Sequence, residues 1–271
     1  MKTSHTSTLI TLLAAIALLF VLGGCESDPT GPDTPSAPTL PNPEQLQVDL
    51  SFFDQAEQTT KTGEKIGDNF INAYWRVAVI NLMLRYYLTP PVAAFALALH
   101  TVPSRQEDDS WIWVYTYVQG EEELQIRLRG VQVGDNVAWE LRVNAPSAQP
   151  AIENELWFAG ETRNEGQFGS WTFYDFTLEG RPAVSTISWG ESLMGNFLTI
   201  NALHGEDAGD VLTYTRQAPE NAITFYDASE DLEGYIRWNE LTGTGSLMVP
   251  DYHGGQPACW DEDQNDIACD L

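Results

Sequence analysis

From Ser110 onward the chain alternates apolar and polar residues with a period of two and interrupts the alternation repeatedly with turn formers. Trp111, Trp113, Tyr115 and Tyr117 fall on one face of the first such segment, and Ile112, Val114 and Val118 on the other. Leu124, Ile126 and Leu128 alternate with Gln125, Arg127 and Arg129; Val137, Trp139, Leu141 and Val143 alternate with Ala138, Glu140, Arg142 and Asn144. Successive side chains of a strand point to opposite sides, so this period commits the chain to sheets with one face to bury. Further strands are expected at 156–162, 170–178, 183–189, 197–203, 211–216, 222–226, 234–239 and 245–249. Gly134-Asp135-Asn136, Asn164-Glu165-Gly166 and Thr242-Gly243 stand at the junctions and suit tight turns. Short connections make sequence neighbours antiparallel neighbours, which is a meander. A meander of roughly ten or eleven strands must curl, because sheets twist and long flat edges invite aggregation.

A faint internal repeat runs through this region. Thr172-Phe173-Tyr174-Asp175 recurs as Thr224-Phe225-Tyr226-Asp227, and each is followed by Leu-Glu-Gly and then by a strand ending in Trp189 or Trp238. Duplicated hairpins and convergence of aromatic strands on similar words both account for it.

Ahead of the strands, residues 66–88 read as one long helix. Ile66, Phe70, Tyr74, Val77, Leu84 and Leu88 are spaced by three, four or seven, and Asp68, Asn72 and Arg76 form a polar stripe elsewhere. Past Val77 only Asn81 and Arg85 interrupt the apolar residues, so that half is expected to be buried nearly all round. Asp68, Asn69, Arg76 and Arg85 argue against a bilayer span. Thr89-Pro90-Pro91 is expected to stop the helix. A mainly β chain, with an antiparallel meander curled into a partial barrel and packed on one long N-terminal helix, is similar in outline to the half-barrel lipoproteins of the Lol system. That resemblance is architectural and rests on no shared motif.

The N-terminus carries Lys2, an apolar run over 9–22 broken only by Thr11, and then Leu22-Gly23-Gly24-Cys25. The run fits an export signal and is shorter than the roughly 20 apolar residues of a spanning helix. An aliphatic residue and two small residues before a cysteine resemble the lipobox of bacterial lipoproteins. The resemblance implies cleavage before Cys25 and diacylglycerol and palmitate on it, a membrane anchor without a spanning helix. Glu26, where an aspartate would signal inner-membrane retention in enteric bacteria, favours the outer membrane of the cell envelope. Pro29, Pro32, Pro35, Pro38, Pro41 and Pro43 then recur too densely for a core and read as an extended tether. The expected organisation is a signal at 1–24, anchor and tether at 25–45, one helix-plus-meander domain at 46–257 and an acidic tail at 258–271.

With Cys25 taken by lipid, Cys259 and Cys269 remain, and in an oxidising envelope a disulfide between them is the default. The residues from Cys259 to Asp270 resemble the Excalibur-type calcium motif. The resemblance implies calcium ligands at Asp261, Asp263 and Asn265, at the carbonyl of Ile267, and at Asp270 in place of the motif's glutamate. Asp266 departs from the pattern, standing where the motif has a turn glycine. The alternative is a disulfide-closed tail docked through Trp260.

The formal net charge of −26 repels nucleic acid and anionic headgroups. Three lysines in 271 residues leave a surface suited to high salt as well as to an acidic exported protein. Outside the signal, His100, His204 and His253 have no metal-ligand spacing, and Gly190-Glu191-Ser192-Leu193-Met194 lacks the last glycine of a nucleophile elbow. The expected function is therefore a membrane-anchored, non-enzymatic lipoprotein. It would hold a lipid or other hydrophobic ligand between helix and sheet, with Trp111, Trp113, Tyr115 and Tyr117 lining the groove. A surface-exposed β-sandwich that binds glycans or an envelope protein is the alternative, and a hydrolase the third.

Overall fold

The computed structural model describes residues 36–42, 46, 48–54, 66–119, 122–193 and 195–269. Among the described residues it has one long helix, α1 (Asp68–Ala98), with 3₁₀ turns at Ser51–Phe53 and His253–Gly255. The strands are β1 (Ser104–Arg105), β2 (Trp111–Gln119), β3 (Glu122–Val133), β4 (Asn136–Ala145), β5 (Ile152–Arg163), β6 (Phe168–Tyr174) and β7 (Ala183–Ser192). They continue as β8 (Gly195–Ala202), β9 (Val211–Gln217), β10 (Glu220–Asp227), β11 (Leu232–Asn239), β12 (Gly245–Met248), β13 (Ala258–Trp260) and β14 (Asp266–Ile267). Hydrogen-bonding order follows sequence order from β1 to β14, an antiparallel meander; among the described residues no pairing joins its two ends into a closed barrel. Every strand expected from the alternation is present. The additions are β1, β13 and β14, each too short for a period to register.

The chain divides into two compact units. The first holds 87–181 with the described residues up to Leu46; the second holds 47–86 and 182–271. In the first, the inner face of β2–β6 is built from two rows of cross-strand partners. One row reads Trp113, Leu128, Leu141, Phe158 and Phe173, all buried. The other reads Trp111, Gly130, Trp139, Gly160 and Trp171, with glycine and tryptophan in strict alternation. The glycines make room for the indoles. A Cβ on Gly130 would stand 2.6 Å from Trp139 Cζ3, and one on Gly160 would stand 2.7 Å from Trp171 Cδ1. Phe95 of α1 lies on this face, its ring 5.2 Å from Trp139, 6.2 Å from Phe158 and stacked at 5.4 Å on Trp171.

The second unit repeats the device. Its central row is Trp189, Leu198, Tyr214, Ile223, Ile236, Leu247 and Ala258, all buried. Beside it, Trp238, Gly245 and Trp260 pair in succession. Phe52, Phe53 and Phe70 close over these indoles, Phe53 at 5.1 Å from Trp238 and Phe70 at 5.5 Å from Trp260.

Three expectations require correction. First, α1 does not stop at Thr89 but runs through Pro90 and Pro91 to Ala98. Prolines provide no amide to the carbonyls four residues earlier, a loss of about 3 kcal/mol each in a helix interior. Burial of Ala94, Phe95 and Ala98 in the first unit offsets it. The division between the units crosses the helix at Tyr86–Tyr87, the residues whose carbonyls face those prolines. Second, the stretch past Val77 is not buried all round, because Val79 and Leu82 are exposed. Third, β6 ends at Tyr174 rather than reaching Leu178. Asp175 Oδ1 accepts from the amide and hydroxyl of Thr177, which turns the chain away. Asp227, at the same place in the repeated word, accepts from Ser229 in the same way. The following Leu-Glu-Gly words differ: Leu178 to Gly180 lie in a turn, and Leu232 to Gly234 open β11.

Candidate functional site

The aromatic face of β2 points inward. Trp113 is 2 % exposed and its ring lies 5.8 Å from that of Trp139. Tyr115 donates its hydroxyl to the carbonyl of Ala94 at 2.9 Å, and burial pushes its phenol well above the usual tyrosine range. Trp111 is half-buried at the end of the glycine–tryptophan row. The side chain of Tyr117 lies outside the described residues. On the opposite face Val114 and Val118 are exposed. Three of the expected ligand-binding aromatics thus share one face, and Tyr115 bonds to α1.

A second constellation forms at the start of α1, where the C-terminal tail clamps the helix. Cys259 and Cys269 form a disulfide. Inside it, Asp261 Oδ1 accepts the amides of Asp263 (3.0 Å) and Asn265 (2.8 Å), folding a tight turn whose left-handed residue is Gln264, φ 62°. Asp266, extended in β14, turns its carboxylate onto the helix N-terminus. Its Oδ2 accepts the amide of Asp68 at 3.1 Å and its Oδ1 that of Asn69 at 2.9 Å. The first amides of a helix lack intrahelical acceptors and carry partial positive charge, so a carboxylate there is a cap on both counts. Gly67 has no side chain with which to cap, and its own amide donates to the carbonyl of Gln264 at 2.9 Å. A Cβ on Gly67 would stand 2.7 Å from the Asp266 amide nitrogen. Asn69 completes the clamp, donating Nδ2 to the carbonyl of Cys259 at 2.7 Å and accepting the hydroxyl of Tyr252 at 2.9 Å. Two turns on, Arg76 Nη2 donates to both carboxylate oxygens of Asp251, 2.7 Å each.

Of the expected calcium ligands, Asp261 is engaged by backbone amides and Asp263 is exposed. The Asn265 side chain points its amide at Asp261, Ile267 pairs with Cys259 in the sheet, and Asp270 lies outside the described residues. Among the described residues no group of three or more His, Cys, Asp or Glu is placed to hold a metal ion. As folded, Asp261 Oδ1 accepts the protein's own amides. Trp260 docks the tail: it is buried, and its Nε1 donates to the carbonyl of Gly243 at 3.1 Å.

No family model, curated protein or solved structure matches the chain. Cys25 and the leader lie outside the described residues. Among those described, no helix is long and apolar enough to cross a membrane. Ser192 ends β7 on the surface with its hydroxyl directed to the carbonyl of Gly195, and His100, His204 and His253 are all exposed.

Sequence reasoning missed Phe95 and Asp266. A helix continuing past the prolines was needed to find Phe95. Asp266 did carry a signal, as a carboxylate in the position of a motif's turn glycine, without its partner 198 residues away.

Proposed function

We propose that the chain is a membrane-anchored, non-enzymatic lipoprotein, tethered through acylated Cys25. Its meander, curled into a partial barrel on α1, holds acyl chains or another hydrophobic ligand at the layer between helix and sheet. The observation that supports this reading is the position of Phe95. Its ring packs among Trp139, Phe158 and Trp171 beside the buried row from Trp113 to Phe173, so the layer between helix and sheet is lined by apolar and aromatic side chains. A ligand enters by displacing that ring. Lipid carriage needs an apolar face, and the buried row from Trp113 to Phe173 supplies one.

Native mass spectrometry of the acylated full chain, with lipid extraction, tests this. Lipid beyond the covalent anchor is expected on the parent protein, and a larger lipid-bound share on Phe95→Leu, which frees part of the ring's volume. Absence of extra lipid from both would sink the carrier reading. The closeness of the packing favours a second one, recognition of a glycan or an envelope protein by the outer surface, and that outcome would leave it standing.

A further inference from the structure

The helix α1 is apolar on two sides over its first half. Phe70, Ala73, Val77 and Leu84 are buried, while Trp75, Val79 and Leu82 are 63 %, 66 % and 68 % exposed. Their spacing of four and three residues puts them on one stripe. Solitary exposed apolar residues are ordinary, but an aligned tryptophan, valine and leucine at this exposure mark a contact surface.

We propose that this stripe is where the body of the protein rests on the membrane to which Cys25 tethers it, with Trp75 at the headgroup level and Val79 and Leu82 against the acyl boundary. The inference rests on the anchor reading above. Three observations select a lipid surface over other occupants. The stripe is short: eight residues of helix span about 11 Å, too little for the roughly 1,200–2,000 Å² of a stable dimer. A surface held close by a tether needs no such area, because tethering raises the local concentration to the millimolar range. Charge agrees as well. Past Asp68, α1 carries no carboxylate, and although Arg76 is paired with Asp251, Arg85 stands exposed three residues beyond Leu82, so in a chain of net charge −26 this stretch of helix presents no negative group to a headgroup. Finally, neighbouring sequence offers no cover. Residues 55–65, which lead into α1, contain one apolar residue, Ala56, and the apolar run at 9–22 is removed when Cys25 is acylated. Tryptophan suits the position because its amphipathic ring favours the membrane–water interface.

The test uses the acylated full chain in phosphatidylcholine vesicles with and without mid-chain brominated phosphatidylcholine, reading tryptophan fluorescence. Trp113, Trp139, Trp171, Trp189, Trp238 and Trp260 are buried and Trp111 and Trp157 half-buried, so short-range quenching by bromine reports chiefly on Trp75. Quenching is expected to fall at least threefold in Trp75→Phe. It is also expected to fall in the Val79→Ser, Leu82→Ser double variant, which keeps Trp75 and whose surface changes leave the core intact. An acylated chain that floats with vesicles while quenching is equal in parent and Trp75→Phe overturns the docking and leaves the anchor standing. A chain whose mass lacks diacylglycerol overturns the anchor reading and this inference together. Concentration-dependent shielding of Trp75 without lipid, with a doubled mass in sedimentation, would assign the stripe to a second copy instead and overturn the proposal.

Discussion

At the scale of single residues, Asp266 and Tyr214 make opposite uses of a polar group. Asp266 spends its charge on the first amides of α1, and its removal is expected to cost about 1 kcal/mol. Urea unfolding of Asp266→Ala should show a lower midpoint with an unchanged slope, since the fold and the area it buries persist. An unchanged midpoint would mean that water caps the helix equally well. Tyr214 is buried in the second unit and donates its hydroxyl to Asn221 Oδ1 at 3.1 Å. Burial pushes its phenol up to about 12, with Arg216 opposing and Asp49 and Glu240 adding to the rise. In the unfolded chain this phenol titrates near 10.0. The folded state therefore holds its proton more tightly, and stability present below pH 10 is lost as pH rises towards 12. The expected slope is on the order of 1 kcal/mol per pH unit for one proton. Tyr115, also raised by burial, acts in the same direction. Denaturation at pH 9 to 11.5 should show a shallower decline for Tyr214→Phe than for the parent, and parallel curves would refute the assignment.

At the scale of elements, the tail hairpin and the N-terminus of α1 form one cooperative piece. The disulfide closes a short loop, worth about 2–3 kcal/mol in the loop-entropy model. It also holds β14 where Asp266 reaches Asp68 and Asn69. Replacing both cysteines with serine and adding Asp266→Ala in a double-mutant cycle should give a sub-additive loss, because an unclosed tail delivers the cap less often. Strict additivity would mean that β13 pairing and Trp260 suffice to hold the tail. The glycine–tryptophan rows belong to this scale as well. Gly130 and Gly160 beside Trp139, and Gly245 between Trp238 and Trp260, are meaningless in linear order. They become a packing device once the register sets each indole over a residue without a side chain.

At the scale of the whole molecule, charge dominates. A net charge of −26 makes the compact state repel itself, and the repulsion is screened within about 3 Å at 1 M salt against about 30 Å at 0.01 M. The Tm is therefore expected to rise by several degrees between 10 mM and 1 M NaCl, and an equal molality of a neutral osmolyte serves as control. A flat or falling Tm would show that local ion pairs such as Arg76–Asp251 outweigh the global term.

What the sequence determined by itself is what depends on neighbours within a few residues. The two-residue alternation committed 111–249 to strands, short turns made them antiparallel, and the spacing at 66–88 made a helix. Two cysteines left over in a short tail made a bridge. Local periodicity decides these because a side chain's direction on a strand or helix follows from its place in the chain. Only the tertiary structure decided the continuation of α1 through Pro90 and Pro91, which burial of Phe95 offsets and no local rule favours. It also decided which face of the helix stays open at Trp75, and that Asp266 caps a helix 198 residues away. Those outcomes depend on which surfaces meet, and strand register, not spacing along the chain, brings them together.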